Sequence, residues 1–363
     1  MKTQGDFRDP EKVRHLLDAI AQKTSKNWSI MEICGGQTHV FLKYGLDKLL
    51  PSQIDLLHGP GCPVCVTAAE FIDMAIQIAR QPDTLVVSFG DMLRVPGSCL
   101  DLLSARAEGA AVQMVYSPLD ALEIAQKEPK RQVVFFAVGF ETTAPAIALT
   151  IVNAQRNQIS NFSVLCAHVR VPPAMTALLS NPAHRIDGFL AAGHVCTVMG
   201  SNEYYEIAKK FSVPIVITGF EPLDILYGVY RCIVRLEDKQ PGVENAYARV
   251  TREQGNATAQ QILQQVFQVV DRNWRGLGLI PLGGFQIREE YGQFDALRRF
   301  SHLSPVSVAA DDLCMGGKVL QGLMKPDQCP YFATRCSPEH PLGAPMVSSE
   351  GACAAYYRYR RNE

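Results

Sequence analysis

The sequence predicts an α/β protein of two lobes, each a parallel sheet flanked by helices, followed by a loop- and helix-rich C-terminal region. Three observations carry that expectation. From about residue 28 to 220 one grammar repeats: a short β-branched or aromatic run, a glycine turn, then a helical stretch. Strands alternating with helices imply crossover units and parallel sheets covered on both faces. A small internal echo, AVGFETTAP (137 to 145) against ITGFEPLDI (217 to 225), fits two related lobes better than one large sheet. After residue 240 the grammar changes, and Gly, Pro and Cys come to dominate.

The strand candidates, in chain order, are SIMEI before CGG, IDLL before HGPG, TLVVSF before GD, VQMVY before SP, VVFFAV before GFE, FSVLCAHV, IDGFLAA before GH, and IVIT before GFE. VTAAEFIDMAIQIAR has good helix formers and an apolar repeat, so a helix should follow the CPVC stretch. Further on, TAQQILQQVFQVVD reads as an amphipathic helix and WRGLGLIPLGG as a turn-rich segment. These readings place a first α/β lobe at 1–130, a second at 131–240 and the C-terminal region at 241–363. In such lobes ligands bind beyond the carboxyl ends of the strands. Glu141 with Thr142 and Thr143, Glu221 with Asp224, His168 and His194 all fall in that zone. The plain reading of the carboxylates is helix capping, and of the two histidines, satisfied strand-end residues.

Composition narrows the class. Hydrophobic residues make up 47% of the 363 and charged residues 20%, which suits a chain with a sizeable interior. The 35 Lys+Arg against 36 Asp+Glu leave a net charge of -1, and no basic face announces a nucleic-acid partner. MKTQGDFRDPEK lacks the pattern of a secretory signal, and no apolar run approaches the roughly 18 residues of a membrane span. A cytoplasmic protein without membrane contact is expected. Structural disulfides are rare in that compartment, so clustered cysteines among the eleven point to metal binding or thiol chemistry. Cys99, Cys166, Cys196 and Cys232, scattered through apolar surroundings, read as core residues.

Three cysteine sites remain. Cys314, Cys329, Cys336 and Cys353 form C-x14-C-x6-C-x16-C in a segment too poor in apolar runs to build a core by itself. Four thiolates there suit a [4Fe-4S] cluster or a four-cysteine zinc site. The wide spacing, without the close pairs usual around zinc, leans toward the cluster. Cys62 and Cys65 form C-P-V-C behind a strand and a Gly-Pro-Gly turn. A helix starting there would lower a thiol pKa and favour a dithiol/disulfide pair, with a metal half-site or two inert thiols as the alternatives. Cys34 opens CGGQTH at the end of a strand, with His39 five residues on and two glycines that should leave the thiol uncrowded.

Taken together, ICGGQTH (33 to 39), HGPGCPVC (58 to 65), FFAVGFETT (135 to 143), the late cysteine series and VSSEGACAAYY (347 to 357) resemble the HypD family of hydrogenase-maturation factors, over nearly the full chain. The resemblance implies a scaffold on which the Fe(CN)2CO unit of [NiFe]-hydrogenase is assembled with the small chaperone HypC and the cyanide-supplying HypE, for delivery to the hydrogenase large subunit. It further implies that Cys34 binds the nascent iron centre, that Cys62 and Cys65 are the redox-active pair, and that Cys314, Cys329, Cys336 and Cys353 hold a [4Fe-4S] cluster. Several family members carry histidine where Gln37 stands here, which moves the expected proton-relay role to His39. The chemistry is coherent: a soft thiolate suits low-spin iron, and cluster and dithiol together supply electrons for cyanide transfer. A redox assembly scaffold is thus expected rather than a conventional turnover enzyme. An iron-sulfur-dependent dithiol/disulfide reductase and a zinc-stabilised interaction module are the competing expectations.

Overall fold

The computed structural model describes residues 7–304 and 313–361. All eight strand candidates form strands: β1 (Trp28–Glu32), β2 (Ile54–His58), β3 (Thr84–Ser88), β4 (Val112–Met114), β5 (Gln132–Ala137), β6 (Phe162–Cys166), β7 (Gly188–Ala192) and β8 (Pro214–Thr218). A ninth, β9 (Gly242–Asn245), pairs at an edge. They build two wholly parallel sheets, one in the order β2-β1-β7-β8-β9 and the other β4-β3-β5-β6. Every residue of β3, β6, β7 and β8 is buried. That is the consequence of helices on both faces, and it explains why these strands read as apolar runs without alternation.

The sheets do not follow the expected boundaries. β3 and β4, from the segment assigned to the first lobe, pair with β5 and β6, while β1 and β2 pair with β7 and β8. The chain leaves the first sheet after β2, builds the whole second sheet, and returns through the helix Val171–Ser180 to β7. Parallel neighbours need a long connection in any case, and the entropic cost of closing a connection grows only slowly with length, so one can hold an entire inserted unit.

Two readings near residue 266 need correction. The helix stops at Val266, having begun at Ala257, and Phe267 opens β10 (Phe267–Trp274), which turns back into β11 (Gly278–Ile287) as an antiparallel hairpin. The FQVVD stretch is therefore strand, and the turn-rich WRGLGLIPLGG is a tight hairpin turn with its second strand. Phe267 and Trp274 are buried at the two ends of β10; seven apart, they would share one face of a helix, which is why the helix reading runs on, and the ladder with β11, irregular between Val270 and Arg272, is what makes the stretch strand. The hairpin braces the crossover between lobes: Phe285 N donates to His168 O and Arg170 N to Gly283 O. Among the described residues, no helix is long and apolar enough to cross a membrane.

From residue 313 on, the chain contributes short turns and one longer helix, Ala352–Arg360. That helix docks on the helix Gly35–Lys43, burying Tyr356 and Ala355 against Leu42. In this way the late cysteines come to lie beside the early ones.

Candidate functional site

Cys34 is the residue between β1 and the helix Gly35–Lys43, in extended conformation at the N-cap position. Its backbone N–H donates to Glu32 Oε2 (3.0 Å). The Gly-Pro-Gly turn after β2 wraps around it: Gly35 N donates to Gly61 O, and a Cβ on Gly61 would overlap the Cys34 backbone. Only glycine fits at 61. The expectation of an uncrowded thiol does not hold, because Cys34 is 4% exposed and the C-terminal Glu350 backbone lies directly against Gly35. Burial pushes the thiol pKa well up and the Glu350 charge adds to it, while the backbone N–H groups of Gly36 and Gln37 pull the other way.

Against the Cys34 sulfur lies His194, on the helix Gly193–Met199 behind β7, with Nδ1 3.9 Å and Nε2 4.0 Å away. Its ring lies 5.0 Å from that of Phe220, centroid to centroid. Burial lowers the imidazole to about 4, so it is neutral near pH 7. His39 faces elsewhere, with Nε2 3.2 Å from the Tyr359 hydroxyl. Of the two, His194 is the one that lies against Cys34, its two ring nitrogens nearly equidistant from the sulfur. The sequence had placed it at a strand end but gave no sign of its pairing with a cysteine 160 residues away. Gln37 is fully buried; its Nε2 reaches Ala191 O at 3.4 Å and its Oε1 has no partner.

Cys62 and Cys65 are joined as a disulfide, with Cα atoms 5.3 Å apart, inside the normal range. Both are buried. The helix at the pair spans only Pro63–Val66; the longer one starts at Ala69. The dipole argument for a lowered thiol pKa therefore finds only a single turn here. The Pro63–Val66 turn packs on Ala344–Met346 of the C-terminal region.

Cys314, Cys329, Cys336 and Cys353 all line one small, largely apolar cavity of about 20 Å³, walled by Met315, Val319, Pro326, Phe332, Pro345 and Met346. Each thiol comes from a different turn or helix end, which is what the wide sequence spacing encodes. A Cβ on Gly343 would collide with Cys314 Sγ. Gly316 N donates to Cys314 Sγ (3.3 Å) and Leu342 N to Cys336 Sγ (3.4 Å). Burial and the other three sulfurs push the Cys353 thiol far up. Among the described residues no three such side chains close around a single ion; what these four share is a volume. A second, larger cavity has both Cys65 and Cys314 in its wall, so the disulfide and the four-thiol pocket adjoin.

The GFE motifs are caps, as the plain reading held, but of different kinds. Glu221 sits at the N-cap of its own helix, Pro222–Glu237, in a capping box with Asp224. Glu141 instead accepts from Val171 N (2.9 Å), the first residue of the helix that crosses back between lobes. Thr143 Oγ1 lies 3.1 Å from His168 Nε2 on the same crossover. Burial raises Glu141 to about 7, and its Oε2 has no partner. Cys166, Cys196 and Cys232 are buried, as expected of core residues; Cys99 is exposed.

A family model described as HypD, hydrogenase formation hypA family, matches residues 11–360. The chain is 44% identical to the hydrogenase maturation factor HypD of Escherichia coli over 371 residues, covering 100% of this chain and 99% of that one. It is 45% identical to the hydrogenase expression/formation protein HupD of Azotobacter chroococcum, over 99% of this chain and 97% of its relative. With HypD of Cupriavidus necator the identity is 42%, over 99% and 98%. Identity of this extent over the full length, together with a family model matched from residue 11 to residue 360, establishes the chain as a member of the HypD family of hydrogenase maturation factors.

Proposed function

We propose that this maturation factor is the scaffold on which the Fe(CN)2CO unit of [NiFe]-hydrogenase is put together, with HypC and HypE as partners and the hydrogenase large subunit as recipient, in the cytoplasm. The observation that carries the reading is the adjacency of three kinds of sulfur: a single buried thiol with a histidine beside it, a disulfide, and four thiols around one cavity.

Four thiols set around one apolar-walled pocket, and not drawn together to a point, fit a [4Fe-4S] cluster better than one zinc ion, which needs four ligands at a point. Cys314, Cys329, Cys336 and Cys353 would hold it, and it would supply single electrons there. Gly343 keeps room for it, and the N–H groups of Gly316 and Leu342 stabilise thiolate charge. The disulfide, whose Cys65 shares a wall with Cys314, stores two electrons as a dithiol.

Cys34 binds the iron as substrate. Its thiol loses its proton as iron binds, because the metal stabilises the thiolate, and the neutral His194 beside it is the side chain through which that proton would leave. A soft thiolate is a good anchor for iron carrying cyanide and carbonyl. The backbone around Cys34 is fixed before iron arrives, by Glu32 on one side and Gly61 on the other.

The test replaces Cys62 or Cys65 by Ala and assays both iron-sulfur content and cyanide on iron. The expected result is an intact iron-sulfur chromophore and no cyanated iron. Equal loading of the ligands in the variant would refute the electron-storing role, and turnover of a protein disulfide without partners would favour a reductase.

A further inference from the structure

A fully buried carboxylate sits two residues before Cys34. Glu32 is 0% exposed, and among the described residues no lysine or arginine reaches it. Its oxygens accept from the Thr38 hydroxyl, from Cys34 N–H (3.0 Å) and from His58 Nδ1–H (2.8 Å). The other ring nitrogen of His58, Nε2, lies 3.1 Å from the Tyr356 hydroxyl. His58 and Tyr356 are buried as well, at 4% and 6% exposure. With Nδ1 donating to the carboxylate, a neutral His58 ring accepts from the tyrosine, and the chain has no gap.

This arrangement joins three separate parts of the molecule. Glu32 and Cys34 end β1, His58 ends β2 just before the Gly-Pro-Gly turn, and Tyr356 belongs to the C-terminal helix that carries Cys353 one turn earlier. A buried ionisable triad without a salt-bridging cation costs stability compared with apolar packing, so its presence beside the reacting thiol needs a reason. Local capping does not require such burial: after β8, Glu221 caps its own helix while partly exposed and paired with Arg8.

We propose that Glu32, His58 and Tyr356 act as a positioning relay. They lock the Cys34 loop and tie its placement to the C-terminal helix, so that the packing of the four-thiol region is read out at the Cys34 sulfur. This rests on Cys34 being the reacting thiol. None of the three residues touches the substrate; Glu32 acts on the Cys34 backbone and on Thr38, His58 acts on Glu32, and Tyr356 acts on His58.

The test uses the full chain, purified without oxygen, a pulse of iodoacetamide, and peptide mass spectrometry that reports each cysteine separately. Tyr356→Phe removes one hydroxyl and no apolar contact. It should raise the rate at Cys34 by roughly threefold, in line with the loss of one hydrogen bond, and His58→Leu by about tenfold or more. His58→Gln, which keeps a donor for Glu32 and an acceptor for Tyr356, should stay within about twofold of the parent. Labelling at the buried Cys232 serves as a gauge of general loosening and should not change. Unchanged Cys34 rates in both Tyr356→Phe and His58→Leu would overturn the relay, as would a rise that Cys232 shares. The assay needs neither iron at Cys34 nor a partner, so the relay can fail here while the scaffold reading survives, and the reverse.

Discussion

Cys34 Sγ and His194 Nδ1 stand 3.9 Å apart, one at the end of β1 and the other on the helix behind β7, with the whole second sheet between them in the chain. The first sheet pairs β1 with β7 directly, and that pairing is what brings the two side chains together. If the thiol proton leaves through the imidazole, replacing His194 by Ala should slow iron loading at Cys34 by about two orders of magnitude, the low end of the range for lost proton transfer. Thiol and disulfide chemistry at Cys62 and Cys65 should be unaffected. Iron bound per chain, compared with Cys34→Ala as the zero, measures it.

The four-thiol cavity makes a steric prediction. Gly343→Ala puts a methyl group into Cys314 Sγ and should leave the two sheets folded while lowering iron and sulfide content severalfold. Metal analysis and the visible absorbance of the anaerobic protein read this out, and circular dichroism checks the fold.

The disulfide makes a count. Titration of the metal-free chain in denaturant without reductant should find nine reactive thiols, the free cysteines Cys34, Cys99, Cys166, Cys196, Cys232, Cys314, Cys329, Cys336 and Cys353. Reduction should reveal two more, from Cys62 and Cys65.

Two buried groups on the crossover between lobes predict opposite slopes of stability with pH. Burial, with the Arg272 charge adding to it, lowers His168 from 6.5 to about 3. Below pH 6.5 the unfolded chain takes up a proton that the native one refuses, so stability falls as pH falls toward 3, by at most about 4 to 5 kcal/mol. Glu141 is raised from 4.5 to about 7, so the native chain holds its proton longer, and stability falls as pH rises from 4.5 through 7, by at most about 3 kcal/mol. Glu141→Gln should therefore resist urea better than the parent at pH 8.5 and about equally at pH 4.5. His168→Gln should flatten the loss between pH 6.5 and 5. Urea midpoints across that range measure both.

Strand positions were legible because a parallel strand covered on both faces must be apolar along its length, and VVFFAV or FSVLC admits little else. Sheet membership was not legible. Nothing in SIMEI or IDGFLAA says that β1 pairs with β7, since periodicity records burial and not partners. β9 escaped notice because GVEN has one apolar residue, and its neighbour supplies the pairing through backbone groups alone. The switch from helix to strand at Phe267 was hidden because Gln and Val tolerate either state and the tertiary context decides. At the site, cysteine spacing revealed the sulfur groups, but the buried Glu32, His58, Tyr356 and His194 were silent, because each acquires its meaning only from residues far away in sequence.

The most direct measurement is an infrared spectrum of the protein, purified anaerobically with its small chaperone partner, in the window where iron-bound cyanide and carbonyl absorb and protein does not. The account predicts bands there that vanish in Cys34→Ala while the iron-sulfur absorbance stays. Bands that persist in Cys34→Ala, or no bands in a sample shown to hold an intact cluster and its partners, would contradict it.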